Sequence, residues 1–297
     1  MFKSVMTFQA LVIQLLSGIS VGMVIFLIAV GLSLIFGTLR VLNLAHGALY
    51  MLGAYLCFWI SSTISQLSGA FWWTLLLAPL TVAIFGGFLE ILLLRRIYSR
   101  EMLDQFLLTF ALILIIGDLI KLIWGVDYHM VSTPWPLNGP IILGSIVFPR
   151  YNVFLILSGP LVFVGLWALV RHTRLGSVIR AVTYNREMAN ALGVNVPLVY
   201  TMVFMLGSWL AGLGGALVAP MSAVMPGMDM DILIECFIIV VIGGLGSLSG
   251  AFLGSMIFGL VTAFGILVTP RLAIAFGFIL MIVVLIIRPW GLMGKPE

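Results

Sequence analysis

The sequence predicts an all-α polytopic membrane protein of about eight or nine transmembrane helices. Three observations carry that prediction. Of the 297 residues, 63% are hydrophobic and only 8% are charged, whereas soluble domains carry about 25% charged residues; so few charges cannot cover a water-facing surface. The apolar runs are long and continuous rather than alternating, which selects helices over a β-barrel. The basic residues are gathered in a few connections, the bias that orients helical membrane proteins.

A span needs about 20 apolar residues to cross a hydrocarbon core about 30 Å thick. On that rule spans fall near 11–36, 47–65, 72–94, 106–123, 153–170, 198–219, 251–268 and 272–287. The first is uncharged from Ala10 to Leu39, too long for a signal-peptide core, and reads as a retained span. A further apolar piece, 232–242, is too short to cross alone and runs into "GGLGSLSG" at 243–250. A broken, glycine-rich helix near 232–250 follows. Irregular backbone at membrane depth is tolerated only inside protein or beside a water-filled cavity.

Orientation comes from the cations. The connections 37–46, 95–105, 171–197 and 288–297 hold Arg40, Arg95, Arg96, Arg100, Arg171, Arg174, Arg180, Arg186, Arg288 and Lys295, against Lys3, Lys121, Arg150 and Arg271 on the opposite side. The first group is therefore cytoplasmic, provided that 232–250 crosses. The net charge of +4 speaks to this topology rather than to nucleic acid. Outside, 124–152 is a long loop rich in Pro, Gly and Trp, expected to form an ordered extracytoplasmic cap. The loop 220–231 carries Asp229 and Asp231. The whole chain, 1–297, reads as one transmembrane domain.

Little in the chain points to covalent chemistry. The Gly294-Lys295 pair lacks the upstream glycine and following Ser or Thr of a P-loop, so no nucleotide site is expected. His46, His129 and His172 are scattered. Cys57 and Cys236 lie in apolar runs without metal-ligand spacing and read as small buried hydrophobes. No catalytic residues, metal site or cofactor are assigned to this chain.

Ionisable groups in apolar runs are costly and need partners. Glu90 is followed closely by Arg95 and Arg96, which reads as an interfacial ion pair. Asp118 and Lys121 are three apart on one helix face and can pair. Glu235 opens the short helix 232–242, where acid suits a helix N-terminus; facing a translocation path is the sharper alternative. Two rows of small residues, Gly207, Ala211, Gly215 and Ala219, then Gly246, Gly250 and Gly254, have the spacing that lets helix backbones approach closely in lipid.

The longest cytoplasmic connection, 171–197, contains "YNREMANALGVN" at 184–195. Asn185 can cap a helix start, Glu187 suits its first turn, and Gly193 supplies a left-handed C-terminal residue. Between them lies a helix of about two turns, with Met188, Ala191 and Leu192 on one face. A helix so short is not stable alone in water. It must lie on its own bundle or on a separate cytoplasmic protein.

Three segments together, "GLSLIFGTLRVLNLAHGALYMLGAYL" (31–56), "RAVTYNREMANALGVNV" (180–196) and "IIVVIGGLGSLSGAFLGSMIFGL" (238–260), resemble the permease subunits of branched-chain amino-acid ABC importers, specifically the shorter, H-type permease. The resemblance runs over nearly the whole chain. It implies a second, homologous permease subunit, so a heterodimer; two cytoplasmic ABC ATPase subunits, which hold ATP and Mg; a periplasmic solute-binding protein; and the bacterial cytoplasmic (inner) membrane as location. It implies that 171–197 is the coupling loop, with Asn185, Arg186, Glu187, Met188, Ala189, Leu192 and Gly193 making or shaping the ATPase contact. It places Asn43 and His46 where the chain enters its second span, as pathway-lining groups or as satisfied turn and cap residues. Glu235 is the third pathway candidate.

The function expected is that of half of a transmembrane pathway for branched-chain amino acids or related small polar solutes, driven by separate ATPases through alternating access. The rival is a secondary, ion-coupled transporter, in which broken helices and a few buried acids also occur. The capped cytoplasmic helix and the want of an ion site weigh against it.

Overall fold

The computed structural model describes residues 8–64, 69–144 and 146–294; Lys3 and Lys295, both used in the charge count, lie outside them. The helices in chain order are α1 (Phe8–Leu39), α2 (Ala45–Thr63), α3 (Ala70–Leu92), α4 (Met102–Trp124), α5 (Arg150–His172), α6 (Arg174–Tyr184), α7 (Arg186–Ala191), α8 (Val196–Val218), α9 (Met228–Gly243), α10 (Leu248–Val268) and α11 (Ala273–Ile287). One antiparallel hairpin, β1 (Pro140–Leu143) with β2 (Ile146–Pro149), lies in the connection between α4 and α5. Among the described residues, six helices are long and apolar enough to cross a membrane: α1, α3, α4, α5, α8 and α10.

Burial sorts the helices. The most apolar window of α1 is 78% buried and that of α8 61%, against 22% for α5 and 33% for α4. α1 and α8 are therefore the interior pair, and α4 and α5 present most of their surface outward. α2 is interior too, packing on α3, α4, α8 and α9. That explains its lower hydropathy: a helix surrounded by protein can carry His46, Tyr50 and Tyr55, all buried. Small residues set the spacing. A Cβ on Gly215 of α8 would overlap the Tyr50 carbonyl of α2, and one on Gly207 would lie 2.6 Å from Ile35 of α1. Ala211 and Ala219, in the same row, are buried.

The second row does not form one helical ridge. Gly246 has φ +79° and sits in the turn Gly244–Ser247, against Gly37 at the end of α1. Gly250 and Gly254 are on α10 and meet the backbone of α9 at Gly243 and Ile239. The stretch expected as a broken helix near 232–250 is thus a tight antiparallel hairpin of α9 and α10. Leu292 N–H donates to the Ile242 carbonyl (2.8 Å) and Met293 N–H to the Gly243 carbonyl (3.0 Å). The chain beyond α11 thereby supplies donors for carbonyls that a helix end leaves unpaired.

Two helices start inside the bundle. The residue after α1, Arg40, has φ +56°, a left-handed conformation that turns the chain back inward. Val41 and Asn43 are buried, and the Leu42 carbonyl accepts from Thr109 Oγ1 of α4 at 3.2 Å. By His46 the chain is level with Ile28, eleven residues back along α1, or about 16 Å. A Cβ at Gly47 would overlap the carbonyl of Asp229, in the first turn of α9. The N-termini of α2 and α9 therefore meet within the bundle. At the end of the bundle where α4 and α8 finish, the connections are joined by the His129–Val224 bridge and by His129 stacked on Phe58 with ring centroids 4.1 Å apart. The loop 124–152 contains a hairpin that its sequence did not announce.

Candidate functional site: a cytoplasmic docking face and a sealed interior

The segment 184–195 folds as its residues dictate. Asn185 Oδ1 accepts from Met188 N–H at 2.9 Å, closing the N-terminus of α7. Gly193 has φ +84°, and the helix ends with Val194 N–H to the Ala189 carbonyl and Gly193 N–H to the Asn190 carbonyl, both 3.0 Å. This is a Schellman motif, which needs a residue tolerant of the left-handed region at Gly193. Two residues on, Asn195 Oδ1 accepts from Leu198 N–H at 3.1 Å and caps α8. With both ends capped, α7 is held rigidly at the foot of α8.

The helix lies on its own bundle by one residue only. Ala189 is 3% exposed, whereas Met188 is 59% and Leu192 78% exposed. Tyr184, four residues before Met188, is 93% exposed. Met188 and Leu192, one turn apart, are exposed apolar side chains on α7, and Tyr184 is exposed at the end of α6 beyond the Asn185 break. Arg186 and Glu187 precede Met188 and are exposed. Of the two supports left open for α7, the bundle takes Ala189 and leaves the Met188–Leu192 face uncovered.

The sequence missed what precedes α7. Helix α6 starts at Thr173, whose Oγ1 accepts from Gly176 N–H at 3.0 Å. It is amphipathic, burying Gly176, Ile179 and Val182. Thr173 as a cap and the Ile179/Val182 spacing were the available signals. A cavity of about 520 Å³ lies between α6–α7 and the end of α1, reaching Thr38, Tyr98 and Gln105.

Beneath this face is a polar cluster. Glu90, the acid expected to pair with Arg95 and Arg96, is fully buried at the end of α3. Arg95 meets it at 3.2 Å, while Arg96 is exposed. Two partners were not foreseen. Tyr98 donates to Glu90 Oε1 at 3.1 Å, and Thr201 of α8 donates to Oε2 at 2.7 Å. Burial, followed by the adjacent Glu90 carboxylate, raises the Tyr98 phenol above its ordinary range, so it remains a donor. The cluster joins α3 to α8 at Thr201, six residues beyond the Asn195 cap or about 1.7 turns.

The interior candidates are differently placed. Asn43 and His46 are both fully buried. His46 Nε2 donates to the Ile28 carbonyl at 2.8 Å; since a carbonyl only accepts, that nitrogen carries the proton. His46 Nδ1 and both amide atoms of Asn43 have no hydrogen-bond partner among the described residues. Tyr55 Oη and Ser33 Oγ are likewise buried without one. Asn43 thus makes no side-chain capping bond among the described residues, while His46 keeps one bond, to Ile28. Glu235 is on α9, half-buried. The acid at the true start of α9 is Asp229, so Glu235 sits mid-helix rather than at the N-terminus. The Asp118–Lys121 pair forms as expected, at 2.9 Å, with both side chains largely exposed. Cys57 and Cys236 are buried and free.

A bundle of apolar helices, six of them among the described residues long enough to span a bilayer, is the fold of a multi-pass membrane protein. The family model described as branched-chain amino acid transport system / permease component matches residues 14–285, and the chain belongs to that family: it is a permease subunit of an ABC importer, not an enzyme. It is 28% identical to the high-affinity branched-chain amino acid transport system permease protein BraD of Pseudomonas aeruginosa, over 96% of each chain. It is 26% identical to LivH of Escherichia coli K12, again over 96% of each. A probable LivH of Methanocaldococcus jannaschii is 27% identical over 90% of this chain and 88% of that one. No solved structure gives a significant match. A permease of this class works with a separate ATPase and a solute-binding protein.

Proposed function

We propose that this chain is the H-type half of a heterodimeric pathway for branched-chain amino acids in a bacterial inner membrane. Two ATPase subunits, which hold the ATP and Mg, drive it, and a periplasmic binding protein supplies the solute. The observation that carries the coupling role is the uncovered strip of Met188 and Leu192 on a helix otherwise seated by Ala189. Contiguous exposed apolar side chains on a water-facing surface mark a partner site. The remaining members of the coupling set act by geometry: Asn185 and Gly193 fix the ends of α7, and Arg186 and Glu187 fix its register on the ATPase.

Displacement of α7 passes through the Asn195 cap into α8, and from α8 to α1, α2 and α3, against which its small residues pack. On this reading the substrate path opens along α2 and α9, bringing Asn43, His46 and Glu235 to water. An unpaired buried polar group costs about 1–3 kcal/mol. Asn43 and His46 are polar groups that such an opening would offer to the solute. A zwitterion suits hydrogen-bonding groups such as Asn43 and His46.

The test is reconstitution of this permease with its second permease and ATPases in liposomes, with binding protein and labelled leucine added outside. ATP-dependent uptake supports the proposal. Leucine uptake driven by an ion gradient without any ATPase would instead support a secondary transporter.

A further inference from the structure

The face of the bundle formed by α5, α6 and α10 has a groove that the transport mechanism does not use. It is a cavity of about 630 Å³ lined by Phe163, Trp167, Val170, Arg171, Arg180 and Ser249, among others. Its chemistry is divided by depth. Phe163 and Trp167 lie eight and four residues before Arg171 on α5, or about 12 and 6 Å toward the membrane centre. The deep end is closed by three rings: Phe163 and Phe252 are 4.7 Å apart, and Phe26 lies 5.1 Å from Phe252.

The shallow end is cationic. Arg171 lies over the Trp167 ring, 5.5 Å from its centroid. Arg180, on the interfacial helix α6, donates to the Val170 carbonyl and, at 3.2 Å, to Ser177 Oγ; these bonds use only part of its five-donor fork. The first turn of α10 starts at Leu248 and is capped by Ser247, whose Oγ accepts from Gly250 N–H at 3.0 Å; the Ser249 side chain is exposed and lies 3.5 Å from Ser247 Oγ. Neither Arg171 nor Arg180 has a carboxylate within ion-pair distance among the described residues.

From these observations we infer that the groove binds one anionic phospholipid of the cytoplasmic leaflet, its phosphate held by Arg171, Arg180 and Ser249 and an acyl chain laid along Trp167 and Phe163. Charge complementarity selects this occupant. A neighbouring transmembrane helix would fill the apolar half but leave two guanidinium groups facing an apolar surface. A free phosphate would satisfy the arginines and leave the aromatic half empty.

The experiment uses the assembled transporter in nanodiscs, with Trp167 as the reporter. Its fluorescence is isolated as the difference between wild type and Trp167→Phe, and brominated phosphatidylglycerol or brominated phosphatidylcholine is the quencher. Phosphatidylglycerol is expected to quench at a far lower mole fraction than phosphatidylcholine. Arg171→Gln with Arg180→Gln should reduce that preference about thirtyfold, from about fivefold for each cation near the surface. Arg171→Lys with Arg180→Lys, which keeps the charge, should retain most of it and controls for folding. Inorganic phosphate at millimolar concentration should not displace the lipid. Equal quenching by the two lipids, or a preference unchanged in the double glutamine variant, overturns the assignment. So does complete protection of Trp167 from both lipids, which would show the face covered by another subunit.

Discussion

Truncating Leu192 to alanine separates docking from folding. The side chain is 78% exposed, so it adds almost nothing to the stability of this chain alone. If an ATPase groove buries it, Leu192→Ala removes three carbon groups from that contact. At about 0.8 kcal/mol per buried CH₂ the full loss is about 2.4 kcal/mol, and scaling by the exposed fraction leaves about 1.9 kcal/mol. That is about a 25-fold weaker interaction. The assay is titration of the ATPase against the permease pair in nanodiscs, read by surface binding, with the thermal midpoint of the permease measured in parallel. Docking through Leu192 requires weaker ATPase binding with an unmoved midpoint. Unchanged affinity would refute the docking role of the strip. A lowered midpoint with unchanged affinity would show that Leu192 serves this chain instead.

Three other substitutions test the supports. Gly193→Ala places a Cβ in the left-handed region, at a cost of about 1–2 kcal/mol, and should weaken ATPase binding about tenfold through a disordered α7; Asn185→Ala, losing the cap, should do so about fivefold. Hydrogen exchange at Met188 and Ala189 N–H reports both. Thr201→Val leaves the buried Glu90 carboxylate without one donor, a loss of about 2 kcal/mol, and should lower the thermal midpoint of the permease by several degrees. Asp118→Asn, by contrast, breaks an ion pair whose two members are both exposed, and a midpoint shift beyond one or two degrees would contradict its reading as a surface pair.

How much was legible in the sequence differs by the kind of interaction. Helix cores and α7 were readable because their causes are local: apolar runs, an Asn cap, a Gly at a left-handed position. Glu90 was readable as half of an ion pair because Arg95 is five residues away. Its partner Thr201 was not, since the contact spans 111 residues and a lone Thr in an apolar run carries no signal. The start of α2 inside the bundle was equally hidden. "VLNLAHG" reads as a short polar turn, and only packing shows it folded inward from Arg40, with Asn43 and His46 sealed. The α9–α10 hairpin was half visible. The glycines marked a break, but their spacing suits a helical ridge as well as a turn, and the positive φ of Gly246 decides between them.

Docking of α7 on the ATPase is the claim on which the functional account rests, and cross-linking tests it most directly. A photoreactive residue at position 192 in the assembled transporter should form an adduct with the ATPase subunit, and one at position 189, which faces the bundle, should not. Adducts from position 192 confined to this chain or to lipid, with the ATPase present and active, would contradict the account.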